Sequence, residues 1–269
     1  MPAESEGLLR FSIFLGLFAV LATSEAIWPR RAGAPRGSRW VANLSLVALN
    51  TLLLRLTSLV VPALPALAAL YGGGRGWGLL PALGQSGVLA GVIAFVALDL
   101  ALYLQHVALH FAPPLWRFHR VHHADTEFDA TTGLRFHTIE ILLSQVWKIT
   151  VVLALGAPAV AVVVFEIVLN ATSMFSHANV RLPDAVDRVV RLVIVTPDMH
   201  RVHHSTLTPE MNSNFGFNFA FWDRLFETYR PAPEGEHATM PIGLASYRGP
   251  EPRRLDWMLM FPFLKGASA

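Results

Sequence analysis

Four long apolar runs constrain the fold of this 269-residue chain more than any other feature of its sequence. They lie at about residues 8–28, 41–70, 88–104 and 141–175. As helices, these runs are long enough to cross a hydrocarbon core of about 30 Å. Because backbone polar groups in lipid must be satisfied internally, they predict an all-α, integral-membrane helical bundle. The composition agrees, since 53% of the residues are hydrophobic and only 15% are charged.

The last apolar run, residues 141–175, is too long for a single crossing. Gly156 and Pro158 interrupt it, which predicts a hairpin of two helices that returns the chain to the side it left. The first three runs are then spans, and residues 106–140 and 177–269 form a histidine-rich helical cap. We expect one domain over residues 1–269, because several spans must pack together to bury anything polar.

Arginines indicate how the bundle is oriented. Arg30, Arg31, Arg36 and Arg39 follow the first apolar run directly, an arrangement typical of the cytoplasmic end of a span. The cap would therefore face the cytoplasm, and a bacterial inner membrane is the expected location. Arginines placed beside apolar runs favour membrane topology over nucleic-acid binding. The absence of cysteine excludes disulfides, thiolate metal sites and iron–sulfur clusters.

Ten of the eleven histidines fall in tight clusters, and His237 stands apart. The sequence His-Arg-Val-His-His occurs twice, at 119–123 and at 200–204. On a helix, positions i, i+3 and i+4 share a face, so each copy could direct three imidazoles at one point. The predicted ligands are His106, His110, His119, His122, His123, His137, His177, His200, His203 and His204.

Ten imidazoles exceed what one tetrahedral zinc ion requires. Two ions with about five imidazoles each would account for them. Imidazole suits iron, copper, nickel and zinc alike, so the spacing predicts two metals without choosing between elements. The hairpin at 141–175 places all ten histidines on one side of the membrane, which a single crossing would not.

Five segments carry a resemblance to a known family. They are DLALYLQHVALH (99–110), WRFHRVHHADTEFDATTGLRFHTIE (116–140), FSHANV (175–180), TPDMHRVHHS (196–205) and NFGFNFAFWDRLFETYR (214–230). The pattern resembles the fatty acid hydroxylase superfamily, also called the sterol desaturase family, from about Glu25 to Tyr229. This resemblance implies a non-haem di-iron centre held by the ten histidines, with His137 and His177 as accessory ligands. It also implies O2 activation and oxidation of a C–H bond in a lipid. Zinc could replace the iron during purification.

The chain departs from the family pattern at three positions. Val107 replaces a frequent arginine, Thr138 replaces a usual proline, and Glu227 replaces a common glycine. None of these changes removes a ligand.

Polar residues near the histidines could orient the imidazoles, because a metal-bound histidine usually donates its other nitrogen to an acceptor. The residues with this predicted role are Asp99, Asp125, Glu140 and Asp198, with Asn179 as a possible bridge to metal through water. A helix cap or an arginine partner is the alternative role for the carboxylates. Trp222 and Asp223 are expected to fix the fold of the cap.

Sequence reasoning leaves several functions open. Hydroxylation and desaturation of a lipid-like substrate taken from the membrane are both compatible with the motifs. Electrons would come from a separate reductase, ferredoxin or cytochrome, because the chain lacks a Gly-x-Gly-x-x-Gly fingerprint. The alternatives are a zinc-dependent membrane hydrolase that uses the same histidines to activate water and a metal- or haem-handling protein without turnover.

Overall fold

A computed structural model describes residues 3–33, 36–59 and 64–264. Within these ranges the regular elements are helices, and extended pairing is limited to three isolated bridges. The α-helices are α1 (Ala3–Ile27), α2 (Gly37–Ser58), α3 (Pro65–Gly73), α4 (Leu79–Ala82), α5 (Gly87–Phe111), α6 (Pro113–His123), α7 (Thr138–Leu155), α8 (Ala159–Ser176), α9 (Asp184–Val190), α10 (Pro197–His203), α11 (Thr208–Met211), α12 (Phe221–Leu225) and α13 (Leu255–Met260). Short 3-10 turns occur at Thr132–Leu134, Glu251–Arg253 and Phe261–Phe263.

Five of these helices are long and apolar enough to cross a membrane, with mean hydropathies between 1.3 and 2.2. They are α1 (from Gly7), α2, α5, α7 and α8. The predicted all-helical membrane bundle is thereby confirmed. Helix α5 begins where the third apolar run begins but continues to Phe111, so His106 and His110 extend from a spanning helix.

The second apolar run is not one helix. Helix α2 ends at Ser58, and the separate helix α3 begins at Pro65. Proline has no N–H to donate, so it is well placed in the first turn of a helix and badly placed inside one. Pro62 lies outside the described residues. Helix α3 packs against α7 and α8, so the expectation of one span over residues 41–70 is corrected to a span followed by a short packed helix.

The predicted hairpin is present as α7 and α8. Helix α7 ends at Gly156, whose φ of 67° is left-handed and therefore suits glycine. The backbone of Gly78 lies so close that an added Cβ would sit 2.1 Å from the amide nitrogen of Gly156. Two glycines thus allow the α3–α4 connection to pack directly on the hairpin turn, at the end of the bundle opposite the histidines.

A buried polar network ties α2 to the connection between α6 and α7. Arg39 is 2% exposed and donates to Asp125 at 2.7 Å and to Asp129 at 2.6 Å. Asn43 donates to Thr131 and accepts from Arg135, which also donates to the carbonyl oxygen of Val121. These contacts fix the start of α2 beside the end of α6, where His119, His122 and His123 lie.

Ionic contacts also occur between the spans. The Glu166 carboxylate of α8 accepts from Arg10 of α1 at 3.0 Å and from Lys148 of α7 at 3.4 Å. Charges are costly in lipid unless they are paired inside the bundle. This cluster therefore holds α1 against the hairpin.

Candidate metal centre

Nine histidines converge at one end of the bundle, from the last two turns of α5 and α6, the end of α8, and α10 with the residue after it. They form two adjoining groups, and within each group the ligand nitrogens lie within 4.8 Å of one another. Group A contains five residues and group B contains four. Group A is His106, His110, His119, His123 and His203, and group B is His122, His177, His200 and His204. All are buried except His110, which is partly buried.

The two His-Arg-Val-His-His copies are each divided between the groups. In the first copy His119 and His123 join group A while His122 joins group B. In the second copy His203 joins group A, and His200 and His204 join group B. The expectation that each copy directs three imidazoles at one point is therefore wrong. Positions i+3 and i+4 differ by about 100° around a helix, which is enough to direct neighbouring rings toward different centres.

Group B has a geometry that hydrogen bonding alone cannot satisfy. The Nδ1 atom of His177 donates to the carbonyl oxygen of Ser173 at 2.7 Å, so its Nε2 atom presents a lone pair in the neutral ring. The Nε2 atoms of His122, His204 and His200 lie 3.2, 3.2 and 3.1 Å from that same Nε2 atom. One lone pair cannot accept from three such neighbours in this space. Four converging nitrogens are instead the donor set expected for a cation.

Group A directs unpaired nitrogens inward. The Nε2 atoms of His106, His110, His119, His123 and His203 are buried without a hydrogen-bond partner. Buried polar atoms normally have partners, so each orphan requires an explanation. In four of these rings the Nδ1 atom does have a partner, a carbonyl, amide or carboxylate oxygen. This is the usual arrangement of metal-ligating histidine, with one nitrogen held by the protein and the other facing the ion.

A turn at residues 212–215 orients three rings of group A. His106 donates to the Phe215 carbonyl at 2.8 Å, His203 donates to the Ser213 carbonyl at 2.7 Å, and His110 lies 3.3 Å from the Asn212 side-chain oxygen. Between these residues Asn214 adopts a left-handed φ of 52°, which asparagine tolerates well. The turn thus presents successive acceptors to rings from two different helices.

Asp223 fastens this turn to the cap. Its carboxylate accepts from the amides of Phe215 at 2.7 Å and Gly216 at 2.9 Å, and from the Thr228 hydroxyl at 2.7 Å. Burial raises the pKa of Asp223 to about 6. The expectation that Asp223 fixes the cap agrees with these contacts. The turn itself was not predicted, and the asparagine-rich run Met-Asn-Ser-Asn was the one signal of it.

Of the five residues predicted to support the ligands, Glu140 alone contacts a ring of either group. Its carboxylate accepts from His119 Nδ1 at 2.7 Å, and both side chains are buried. Asp125 pairs with Arg39, and Asp198 pairs with Arg30 and Arg201. The arginine-partner alternative therefore describes these two carboxylates.

Two further residues of that set stabilise backbone instead of ligands. Asp99 accepts from the amides of Asn218 and Phe219 and from the Trp222 indole. Asn179 exchanges hydrogen bonds with the backbone of Arg31, at 3.0 Å in each direction. The hydrogen bonds of Asp99 and Asn179 are thus to backbone and to Trp222, and none of them joins a converging histidine.

His137 joins neither group. Its Nδ1 atom accepts from the Ile139 amide at 3.1 Å and so caps the start of α7, while Nε2 lies 3.2 Å from the Leu259 carbonyl and donates to it. Both ring nitrogens are therefore engaged with backbone. The structure thus does not bring His137 together with the nine converging histidines, and its ring caps the start of α7. His237 is also outside both groups, as expected, and lies 3.8 Å from Asp198.

Burial lowers the pKa values of four histidines of the cap, which are the four members of group B. It lowers the pKa of His177 to about 4, and it lowers the pKa values of His122, His200 and His204 well below the usual range, with neighbouring imidazoles adding to the effect. A neutral imidazole is the form that binds a metal ion. Group B can thus accept a cation at neutral pH without releasing protons.

The structure explains why glycine is common at one of the three positions where this chain departs from the family pattern. Glu227 has a left-handed φ of 59°, a conformation that favours glycine. Thr138 donates to the side-chain oxygen of Asn50 at 2.7 Å, and Val107 packs beside Tyr103. None of the three substitutions lies among the converging nitrogens.

These features define a helical membrane protein with two adjoining polyhistidine groups at one end of its spans. Residues 91–228, about half of the chain, match the fatty acid hydroxylase family. The chain belongs to that family.

Known relatives are enzymes of lipid metabolism. Ornithine lipid hydroxylase OlsE of Rhizobium tropici is 32% identical over 142 residues, which cover 53% of this chain and 42% of the relative. Alkylglycerol monooxygenase of Danio rerio is 30% identical over 155 residues, 56% of this chain and 33% of the relative. Cholesterol 25-hydroxylase of Rattus norvegicus is 26% identical over 147 residues, 54% of this chain and 48% of the relative. Each match spans less than half of the relative's length. No solved structure is significantly similar to the chain.

Proposed function

We propose that this protein is an O2-dependent iron enzyme that hydroxylates a C–H bond of a membrane lipid. The observation that carries the proposal is the pair of polyhistidine groups, in which nine ligand nitrogens face inward. The relatives support hydroxylation over desaturation, because their names are those of hydroxylases and monooxygenases. They also support an oxygenase over the zinc-dependent hydrolase.

The donor set fits two iron ions. All nine ligands are imidazole nitrogens, which suit iron. In two places, consecutive histidines of the chain belong to different groups. Iron bound there would supply O2 activation. The protein would hold the ions with group A and group B, orient the rings through Glu140 and the 212–215 turn, and exclude water by burial. Exclusion of water protects reactive intermediates from side reactions.

The arginines near the site support the orientation that we propose for it. Arg30 pairs with Asp198, two residues before His200, and Arg39 pairs with Asp125, two residues after His123. The end of the bundle that carries the histidines is therefore also the arginine-rich end. Positively charged segments favour the cytoplasmic side, so we place the site there, in the inner membrane of a bacterium. A separate reductase, ferredoxin or cytochrome would supply electrons to this face.

Lipid analysis combined with metal analysis tests the proposal. Cells expressing the wild-type chain should accumulate a lipid with one additional oxygen, and His203→Ala and His204→Ala should abolish it, one in each group. His237→Ala is the matched control, because His237 is a histidine of the same cap outside both groups. The purified wild-type protein should contain iron and consume O2 when reduced. Zinc with hydrolysis of a lipid ester and no O2 consumption would support the hydrolase instead.

A further inference from the structure

Part of the cap lies beside the middle of a spanning helix. The Asp99 carboxylate accepts from the Asn218 and Phe219 amides and from the Trp222 indole. Asp99 is the central residue of α5 (Gly87–Phe111) and lies seven residues before His106. At 1.5 Å per residue, this contact is about 10 Å deeper along the span than His106.

Aromatic and backbone contacts extend this packing. Phe219 contacts Phe95 of α5, with ring centroids 5.9 Å apart. Phe95 is eleven residues before His106, about 16 Å along the helix. Ile194 forms an isolated bridge with Phe219, which brings the chain after α9 to the same depth. Residues 193–195 and 217–222 therefore run beside α5 at the level of its apolar centre.

The backbone of this irregular segment is satisfied within the protein. The Val195 amide donates to the Asn218 carbonyl at 3.1 Å, and the Ala220 amide donates to the Val193 carbonyl at 2.8 Å. The amides of Asn218 and Phe219 donate to the Asp99 carboxylate. Nonhelical backbone at membrane depth requires this kind of internal pairing. The buried carboxylate in the middle of α5 is thereby explained, because it accepts hydrogen bonds from two backbone amides of this segment.

The residues that flank this segment along the chain carry exposed apolar side chains. Val189 is 67% exposed, Leu192 58%, Leu225 64% and Phe226 45%. Phe226 also stacks on Tyr103 of α5, with ring centroids 5.2 Å apart, so this surface lies against a spanning helix. Arg188 is exposed and lies on α9 next to Val189. Exposed apolar side chains with arginine nearby are typical of elements that lie in the lipid interface.

We propose that the surface formed by Val189, Leu192, Leu225 and Phe226 is embedded in the bilayer leaflet on the histidine side. Residues 193–195 and 217–222 are then a re-entrant segment anchored on Asp99, and the cap is partly a membrane element. The depth of the contacts with α5 distinguishes the bilayer from a protein partner as occupant. This inference requires only that α5 spans the membrane, and it does not depend on the reaction.

Single cysteines test the surface directly, because the natural chain contains no cysteine. Val189→Cys and Phe226→Cys are labelled with an environment-sensitive fluorophore, and the protein is placed in vesicles of phosphatidylcholine and phosphatidylglycerol. The matched control is Leu207→Cys, at a residue that is 39% exposed and precedes α11, beyond the end of α5. Doxyl-labelled phosphatidylcholine and aqueous iodide serve as quenchers.

At positions 189 and 226 we expect quenching by doxyl lipid severalfold above that at position 207, and the opposite order with iodide. Equal iodide quenching at all three positions would overturn the proposal. Shielding of positions 189 and 226 from both quenchers would also overturn it, because a second copy or another protein would then cover the surface. Each variant is used only if it elutes as the wild type does, and Leu192→Cys and Leu225→Cys replace any that does not. The readout requires no turnover.

Discussion

Replacement of Glu140 by glutamine tests the hydrogen bond that orients one ligand, and it leaves the ligand itself in place. The Glu140 carboxylate accepts from His119 Nδ1 at 2.7 Å, and both side chains are buried. A hydrogen bond to a charged group contributes about 1.5–3 kcal/mol, against about 1 kcal/mol for a neutral one. Glutamine keeps an oxygen acceptor without the charge, so we expect a loss of about 0.5–2 kcal/mol in metal binding. That corresponds to an affinity about 2–30 times weaker.

The assay is a chelator titration of purified protein with metal content measured per chain. His119 belongs to group A, so Glu140→Gln should release one ion at lower chelator concentration and leave the ion of group B in place. Glu234→Gln is the control, because its side chain is 62% exposed and contacts no ligand. An unchanged titration, or equal loss of both ions, would refute the reasoning from the His119 contact.

Three further predictions concern stability and metal loading. Arg39→Met leaves two buried carboxylates unpaired and should lower the free energy of unfolding by about 3–5 kcal/mol in denaturant titrations, whereas Arg254→Met, at a surface pair, should change nothing measurable. Gly133→Ala places a Cβ 2.9 Å from His177 Nδ1, so it should lower the free energy of unfolding by about 1–3 kcal/mol and reduce the metal content of group B. Gly235→Ala, which has open space around it, should change neither quantity. Burial lowers the pKa of His177 to about 4, so the folded chain binds fewer protons than the unfolded chain between pH 6.5 and 4. Metal-free protein should therefore lose stability as the pH falls through that window, by about 3 kcal/mol from this residue, and a Tm independent of pH would contradict the shift.

The helical architecture and the convergence of the histidines could be predicted from the sequence because both depend on local patterns. Apolar run length sets the spans, and the glycine–proline break at 156–158 sets the hairpin. The division of each His-Arg-Val-His-His copy between two groups could not be predicted. It depends on how α6 and α10 are rotated relative to each other, which tertiary packing decides.

The elements that support the ligands were the least predictable. Main-chain carbonyls at Ser213 and Phe215 orient two rings, and carbonyls carry no side-chain signature. Conversely, His137 has the same residue type and neighbourhood as a ligand, yet it caps α7. Carboxylates near the histidines were equally ambiguous. Whether such a group faces an imidazole, as Glu140 does, or an arginine, as Asp125 does, depends on contacts between distant parts of the chain.

Consecutive histidines that belong to different groups have a mechanical consequence. His122 and His123 are joined by one peptide bond, as are His203 and His204, and each pair bridges the two groups. One trans peptide bond therefore holds the two Cα atoms of each pair about 3.8 Å apart. Inserting one residue inside either pair would turn the second ring by about 100° in a helix and away from its own group, so this region should tolerate changes in length poorly.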